Sequence, residues 1–353
     1  MADVLLNLIW QASALLAVLA VVVISVLVVH RFFRNRHDRR DAARRKELRR
    51  LAVHLLEYPE QIIEARKSYR PADRRLLLEL FEEMRKQVKG EYADRLNSLM
   101  RIMGLMAECV ERLGHPIWYR RAQAAELLGN FKDPNVVLAL YRALEDDRLE
   151  VRIAAARSLA RLHAVQSVRE IVDAVIGRRT DPSLAVTEVF RSLNAKHVPE
   201  LRELLRDRAV APTAKVLAID ALGRLGDLSA IEELLETYDH PHLPIRIATM
   251  QALSRLSDPR SLTTAMMAMT DAAWEVRAQA AVCAGRIGTT ETIPLLHHLL
   301  ADPQWWVRYH AAQALTYLGA PGVVCLQATA EEGLPDAANM AWGVLREKGL
   351  VAV

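Results

Sequence analysis

Trp274-Glu-Val-Arg277-Ala-Gln-Ala-Ala281-Val-Cys-Ala-Gly285 recurs along the chain in recognisable copies, and that recurrence decides the fold. The segments Arg121-Ala-Gln-Ala-Ala-Glu-Leu-Leu-Gly129, Arg152-Ile-Ala-Ala-Ala-Arg-Ser-Leu-Ala160, Lys215-Val-Leu-Ala-Ile-Asp-Ala-Leu-Gly223, Arg246-Ile-Ala-Thr-Met-Gln-Ala-Leu-Ser254, Arg277 to Gly285 and Arg308-Tyr-His-Ala-Ala-Gln-Ala-Leu-Thr316 superpose, with a degenerate copy at Ser183 to Leu193. Their anchor positions 121, 152, 183, 215, 246, 277 and 308 are spaced by 31, 31, 32, 31, 31 and 31 residues, a register too long for chance. Small residues at the third and fourth positions after the anchor and an apolar residue at the seventh lie on one face of an α-helix. A turn with Asp follows twelve residues past the anchor (Asp133, Asp227, Asp258), then a second amphipathic run such as Ile231-Glu-Glu-Leu-Leu-Glu-Thr-Tyr238. Each unit is therefore a helical hairpin, which buries its apolar faces only by stacking on its neighbours. The expected fold is all-α, with an α-solenoid over 117–353.

The pattern, above all Trp274-Glu-Val-Arg277-Ala-Gln-Ala-Ala281 and Trp305-Trp-Val-Arg308-Tyr-His-Ala-Ala312, resembles the HEAT-repeat family, in particular the short bacterial repeats also found in phycobilisome lyases. The resemblance covers about 117 to 353 and implies a superhelix whose second helices line a concave binding face. Residues 51–116 are helical by periodicity, with Pro59 and Pro71 as breakers and Gly90 and Gly114 as stops, but lack the repeat signature. They are read as diverged hairpins forming an N-terminal cap, and Leu334 to Lys348 as the helix that closes the stack.

At the other end, Val4 to Val29 holds 26 residues without Asp, Glu, Lys or Arg, enough to span a hydrocarbon core of about 30 Å. Positive charges follow this run rather than precede it, which fits an uncleaved anchor over 1–29 better than a signal peptide. The formal net charge is +4, yet Arg31 to Arg50 alone carries ten Arg or Lys against Asp38, Asp41 and Glu47. This juxtamembrane segment, 30–50, predicts a cytoplasmic location for everything after it, on a single-pass protein of a bacterial inner membrane. Arg31, Arg34, Arg36, Arg39, Arg40, Arg44 and Arg45 are the candidate contacts to anionic lipid, or equally a topology signal alone.

Chemistry-bearing motifs are sparse. Cys109, Cys283 and Cys325 show no CxxC pairing or metal spacing and suit a reducing compartment. His240 with His242, and His297 with His298, lack a carboxylate at ligand spacing. There is no GxGxxG, Walker loop, GxSxG or HExxH. HEAT-like deoxyhypusine hydroxylases hold their metals through His-Glu dipeptides, and none of the eleven His here precedes a Glu. A lyase-type enzyme is the alternative that the phycobilisome-lyase resemblance leaves open. The reading favoured is a membrane-anchored interaction scaffold, not an enzyme, without cofactor or metal, with an envelope or exopolysaccharide assembly as a candidate setting. A protein partner is expected, and neither nucleic acid nor a small-molecule substrate.

Within the repeats, the anchor arginines 121, 152, 246, 277 and 308 read as an internal ladder with the turn Asp residues. Trp118, Trp274 and Trp305 share one repeat position and read as packing residues, which leaves Trp306 as the aromatic for a partner. On the second helices, Glu200, Glu203, Glu232, Glu233 and Glu236 form the expected acidic patch for a basic segment of that partner. A solvated helix face is the plainer account of the same charges.

Overall fold

The computed structural model describes residues 43–58, 73–88, 90–176 and 184–350, and among these every regular element is helical. They fall into two compact units that divide between Glu111 and Arg112. The predicted membrane span, residues 4–29, lies outside the described residues. No helix among the described residues is long and apolar enough to cross a membrane.

The N-terminal unit contains α1 (43–57), α2 (Arg74–Gln87), α3 (Glu91–Ile102) and α4 (Leu105–Arg112). In α1, Leu48, Ala52 and Leu55 recur at helical spacing and are buried, as are Leu77 and Phe81 on α2 and Leu96 and Leu99 on α3. One helix runs through the expected boundary between a basic segment ending at 50 and a cap beginning at 51. Of its basic residues, Lys46, Arg49 and Arg50 are exposed, while Arg44 and Arg45 are half-buried beside the stripe.

The C-terminal unit is the stack of hairpins. Its first helices are α5 (Trp118–Leu128), α7 (Leu149–Arg161), α9 (Leu184–Ser192), α11 (Pro212–Leu225), α13 (Leu243–Leu256), α15 (Trp274–Ile287) and α17 (Trp305–Tyr317). Each is followed by its second helix: α6 (Pro134–Ala143), α8 (Val168–Val175), α10 (Val198–Arg206), α12 (Ile231–Glu236), α14 (Leu262–Ala268), α16 (Ile293–Leu299) and α18 (Ala320–Glu332). A last helix, α19 (Pro335–Glu347), packs on α17 and α18. First helices of consecutive units pack on one another, so the small and apolar anchor-register positions form the core. Leu128, Leu159, Leu222, Leu253, Ala284 and Leu315, each seven past its anchor, are completely buried.

Consecutive units approach closely at the eighth position after the anchor. A Cβ on Gly223 would lie 2.6 Å from Ala252 Cα, and one on Gly285 would lie 2.8 Å from Ala314 Cα. The eighth position of one unit therefore abuts the sixth of the next. The turn Asp residues serve as caps: Asp133, Asp227 and Asp258 accept the backbone N–H of Asn135, Ser229 and Arg260, each at 2.8 Å.

Candidate functional site

The anchor ladder exists, but its acid is not the turn Asp. Arg121 is bonded to Asp146 through Nε and a terminal nitrogen at 2.7 and 2.8 Å, Arg246 to Asp271 at 3.0 and 3.2 Å and Arg277 to Asp302 at 2.7 and 3.1 Å. Each acid lies at the far end of the second helix, where its own main-chain carbonyl is taken by the next anchor. Arg152 donates to Asp146 O at 2.8 Å, Arg277 to Asp271 O at 2.9 Å and Arg308 to Asp302 O at 2.9 Å. Burial pushes the Asp146 carboxyl up, while hydrogen bonds from Arg121 and the Arg148 N–H outweigh it and hold it below the usual carboxylate range. Other rungs differ. Arg152 Nε donates to Ala174 O at 2.6 Å, and Lys215 donates to Leu205 O at 2.9 Å.

The five glutamates do not form one solvent-facing patch. Glu233 is buried, and its Oε1 accepts from Arg202 at 2.7 Å and also from Arg206. Burial raises its carboxyl, but the Arg202 hydrogen bond and the charges of Arg202 and Arg206 prevail and lower it. Glu200, half-buried, accepts the Val168 N–H at the start of α8. Glu232 is exposed, 3.4 Å from Arg260, while Glu203 and Glu236 are exposed. The pattern of acids on adjacent second helices was legible; the arginines that face them from the neighbouring helix were not weighed.

The aromatic expectation fares better and broadens. Trp306 is 53% exposed and Trp305 48%, so Trp305 is no packing residue, and Trp118 at 40% is not one either. Trp305 stacks on Tyr309 with centroids 5.0 Å apart and meets Trp306 edge-on at 4.8 Å. Trp306 in turn stacks on His310 at 6.0 Å. The signal for Tyr309 and His310 was the spacing of four residues, which puts each over its tryptophan on α17. Beside this platform, Trp305, Arg308, Tyr309, Met340 and Val344 line a groove of about 440 Å³ against α19. Arg308 Nε is buried there with no hydrogen-bond partner, the acid of its rung being reduced to Asp336 at 3.8 Å.

A larger cavity of about 590 Å³ opens at the Lys215 rung, between the ends of α10 and α12, and sequence reasoning missed it. Its signal was present in the aligned units, where Lys215 replaces the anchor Arg and His240 stands 25 residues later in place of Asp.

Of the candidate membrane contacts, Arg31, Arg34, Arg36, Arg39 and Arg40 lie outside the described residues. Arg44 and Arg45 are engaged within their own unit instead. Arg44 bonds Asp73 at 3.1 and 2.7 Å and Glu47 at 2.7 Å, and Arg45 bonds Glu83 at 3.2 Å. Among the described residues no group of three His, Cys, Asp or Glu is arranged to hold a metal ion. Cys109 and Cys283 are buried, and burial pushes the Cys283 thiol up to about 12, where it is a poor nucleophile at neutral pH.

Comparison with known proteins agrees with this architecture. The family described as HEAT repeats matches residues 106–186, 198–273 and 263–332. Deoxyhypusine hydroxylase of Candida albicans is 26% identical over 203 residues, 55% of this chain and 62% of that protein, so the chain spans less than two thirds of its relative. Among solved structures, Escherichia coli YibA is similar over 74% of this chain and 96% of its own, at 18% identity and a TM-score of 0.42. A designed armadillo repeat protein in complex with a (KR)4 peptide is similar over 61% of this chain and 99% of its own, at 16% identity and a TM-score of 0.36.

Proposed function

This chain belongs to the HEAT-repeat family, and from that premise we propose that it is a protein-interaction scaffold, tethered to a membrane by residues 4–29, rather than an enzyme. The observation that carries the reading is the Trp305, Trp306 and Tyr309 platform. Both tryptophans are exposed and Tyr309 is half-buried beneath Trp305, and Trp and Tyr are the side chains that dominate binding energy at protein interfaces, since they bury large area at little entropic cost. The adjoining groove supplies a second element of recognition, lined by Arg308 beside Trp305 and Tyr309. A basic partner segment is supported by Glu203, Glu232 and Glu236, the exposed acids of the expected patch. The 26 uncharged residues from Val4 to Val29 and the arginines that follow support a membrane anchor with the stack on the cytoplasmic side. The 26% identity to deoxyhypusine hydroxylase favours an enzyme, but the absence of any His-Glu dipeptide weighs against that particular chemistry.

Two experiments test this. Full-length tagged protein extracted from native membranes is expected to retain a partner that Trp306→Ala and Trp305→Ala lose at least about tenfold, the scale of an aromatic anchor. Identical sets of bound proteins at equal yield for wild type and both variants would refute the platform. A reporter fused after Val353 is expected on the cytoplasmic side, and protease cleavage of residues 51–353 from the outside of intact spheroplasts would contradict the topology.

A further inference from the structure

The residue 25 past the anchor performs two tasks in the complete rungs. One oxygen of Asp146, Asp271 and Asp302 accepts the backbone N–H two residues on, from Arg148 at 2.9 Å and from Ala273 and Gln304 at 2.8 Å. The same carboxylate also receives the anchor guanidinium. At the Lys215 rung this position is His240, whose Nδ1 accepts the His242 N–H at 3.1 Å, so the turn is preserved. A neutral ring that accepts at Nδ1 carries its proton on Nε2 and is there a donor, not an acceptor. The second task is therefore lost. Lys215, 7% exposed, spends one of its three N–H groups on the Leu205 carbonyl and lines the cavity together with His240 and Arg208.

An ammonium and a ring N–H thus share the wall of one cavity, at the level where complete rungs pair a cation with an acid. The other charges around it do not fill that role. Glu233 takes Arg202 and Arg206 on Oε1 and has no partner on Oε2, and neither it nor the exposed Glu236 and Asp239 is paired with Lys215, whose ammonium bonds the Leu205 carbonyl. Burial lowers the Lys215 ammonium, with Arg208 adding to this and Asp207 opposing it. His240 is lowered by burial, by Lys215 and by His242.

We propose that this cavity binds a carboxylate, which takes the place of the missing rung acid between Lys215 and His240. Its volume of about 590 Å³ holds more than a bare ion, so the carboxylate arrives on a larger group, either a free small acid or an acidic side chain of a protein segment. The site is separate from the aromatic platform and does not depend on the scaffold reading.

Calorimetric titration of the detergent-solubilised full chain with succinate, and with a blocked Gly-Asp-Gly-Gly tetrapeptide, tests this. Binding of succinate identifies a free acid as a fitting ligand, and binding of the peptide alone identifies a side chain. Lys215→Met and His240→Asp are each expected to weaken binding at least about tenfold. His240→Asp supplies the acid internally and is expected to raise the melting temperature as well, which keeps the test informative where Lys215→Met fails to fold. Trp306→Ala leaves this binding unchanged, so a failure here and a failure of the platform are told apart. The proposal is overturned when neither probe binds the wild type, or when His240→Asp binds as tightly as the wild type.

Discussion

Glu232 and Glu233 are neighbours on α12 with opposite surroundings, the first in solvent and the second enclosed by Arg202 and Arg206. Glu232→Lys is therefore expected to leave stability within about 0.5 kcal/mol of wild type. Glu233→Lys sets an ammonium against two guanidinium groups in a buried position and is expected to lower the melting temperature clearly, as differential scanning calorimetry will show. Equal melting of the two variants would mean that Glu233 is not enclosed. The same residue carries a pH dependence. Its carboxyl is held below the usual range, so its contribution is complete above about pH 4.3, the unperturbed Glu value, and is lost as pH falls through the lower folded-state value. Glu233→Gln is expected to flatten the acid limb of melting temperature against pH, and a limb of unchanged slope would assign the acid sensitivity to other carboxylates. Helical spacing shows which residues share a face, but the sign and position of the neighbouring helix's side chains decide whether a carboxylate on that face is free. That is why the acidic patch was readable as letters and not as a surface.

At the scale of the helix, the 31-residue register was legible because one anchor, two small residues and one apolar residue repeat at fixed offsets. The close approach at the eighth position was not, since that position varies among Gly, Ala, Ser and Thr in the six well-preserved copies and is Arg191 in the degenerate one, and only the packed pair shows what the small size is for. Gly285→Ala is expected to destabilise the protein by roughly 1–3 kcal/mol, because the added methyl meets Ala314 main chain rather than a side chain that can swing away. Ala280→Leu, at a fully buried position on the same helix, is expected to cost about as much. Denaturant titration measures both, and an unchanged midpoint for Gly285→Ala would mean that α15 and α17 do not approach so closely. Helix α1 is also legible, in the spacing of Leu48, Ala52 and Leu55.

For the stack as a whole, stability is a sum of unit terms and nearest-neighbour terms, so damage stays local. Gly223→Ala is expected to speed amide exchange in α11 and α13 while α17 keeps its protection, and uniform acceleration across the stack would point to a single cooperative block instead. The repeat order is fully readable, whereas the open rung shows in the sequence only 25 residues past the anchor, outside the repeated motif. In the complete rungs one Asp is gripped by two successive units, by its carboxylate from one side and its carbonyl from the other. Under tension such a series of links shares the load, and extension gathers wherever one link is softer than the rest. With Lys215 and His240 the series has one such soft link, so a pull on the stack would lengthen it there before the complete rungs give, and an acid seated in that cavity would stiffen the spring.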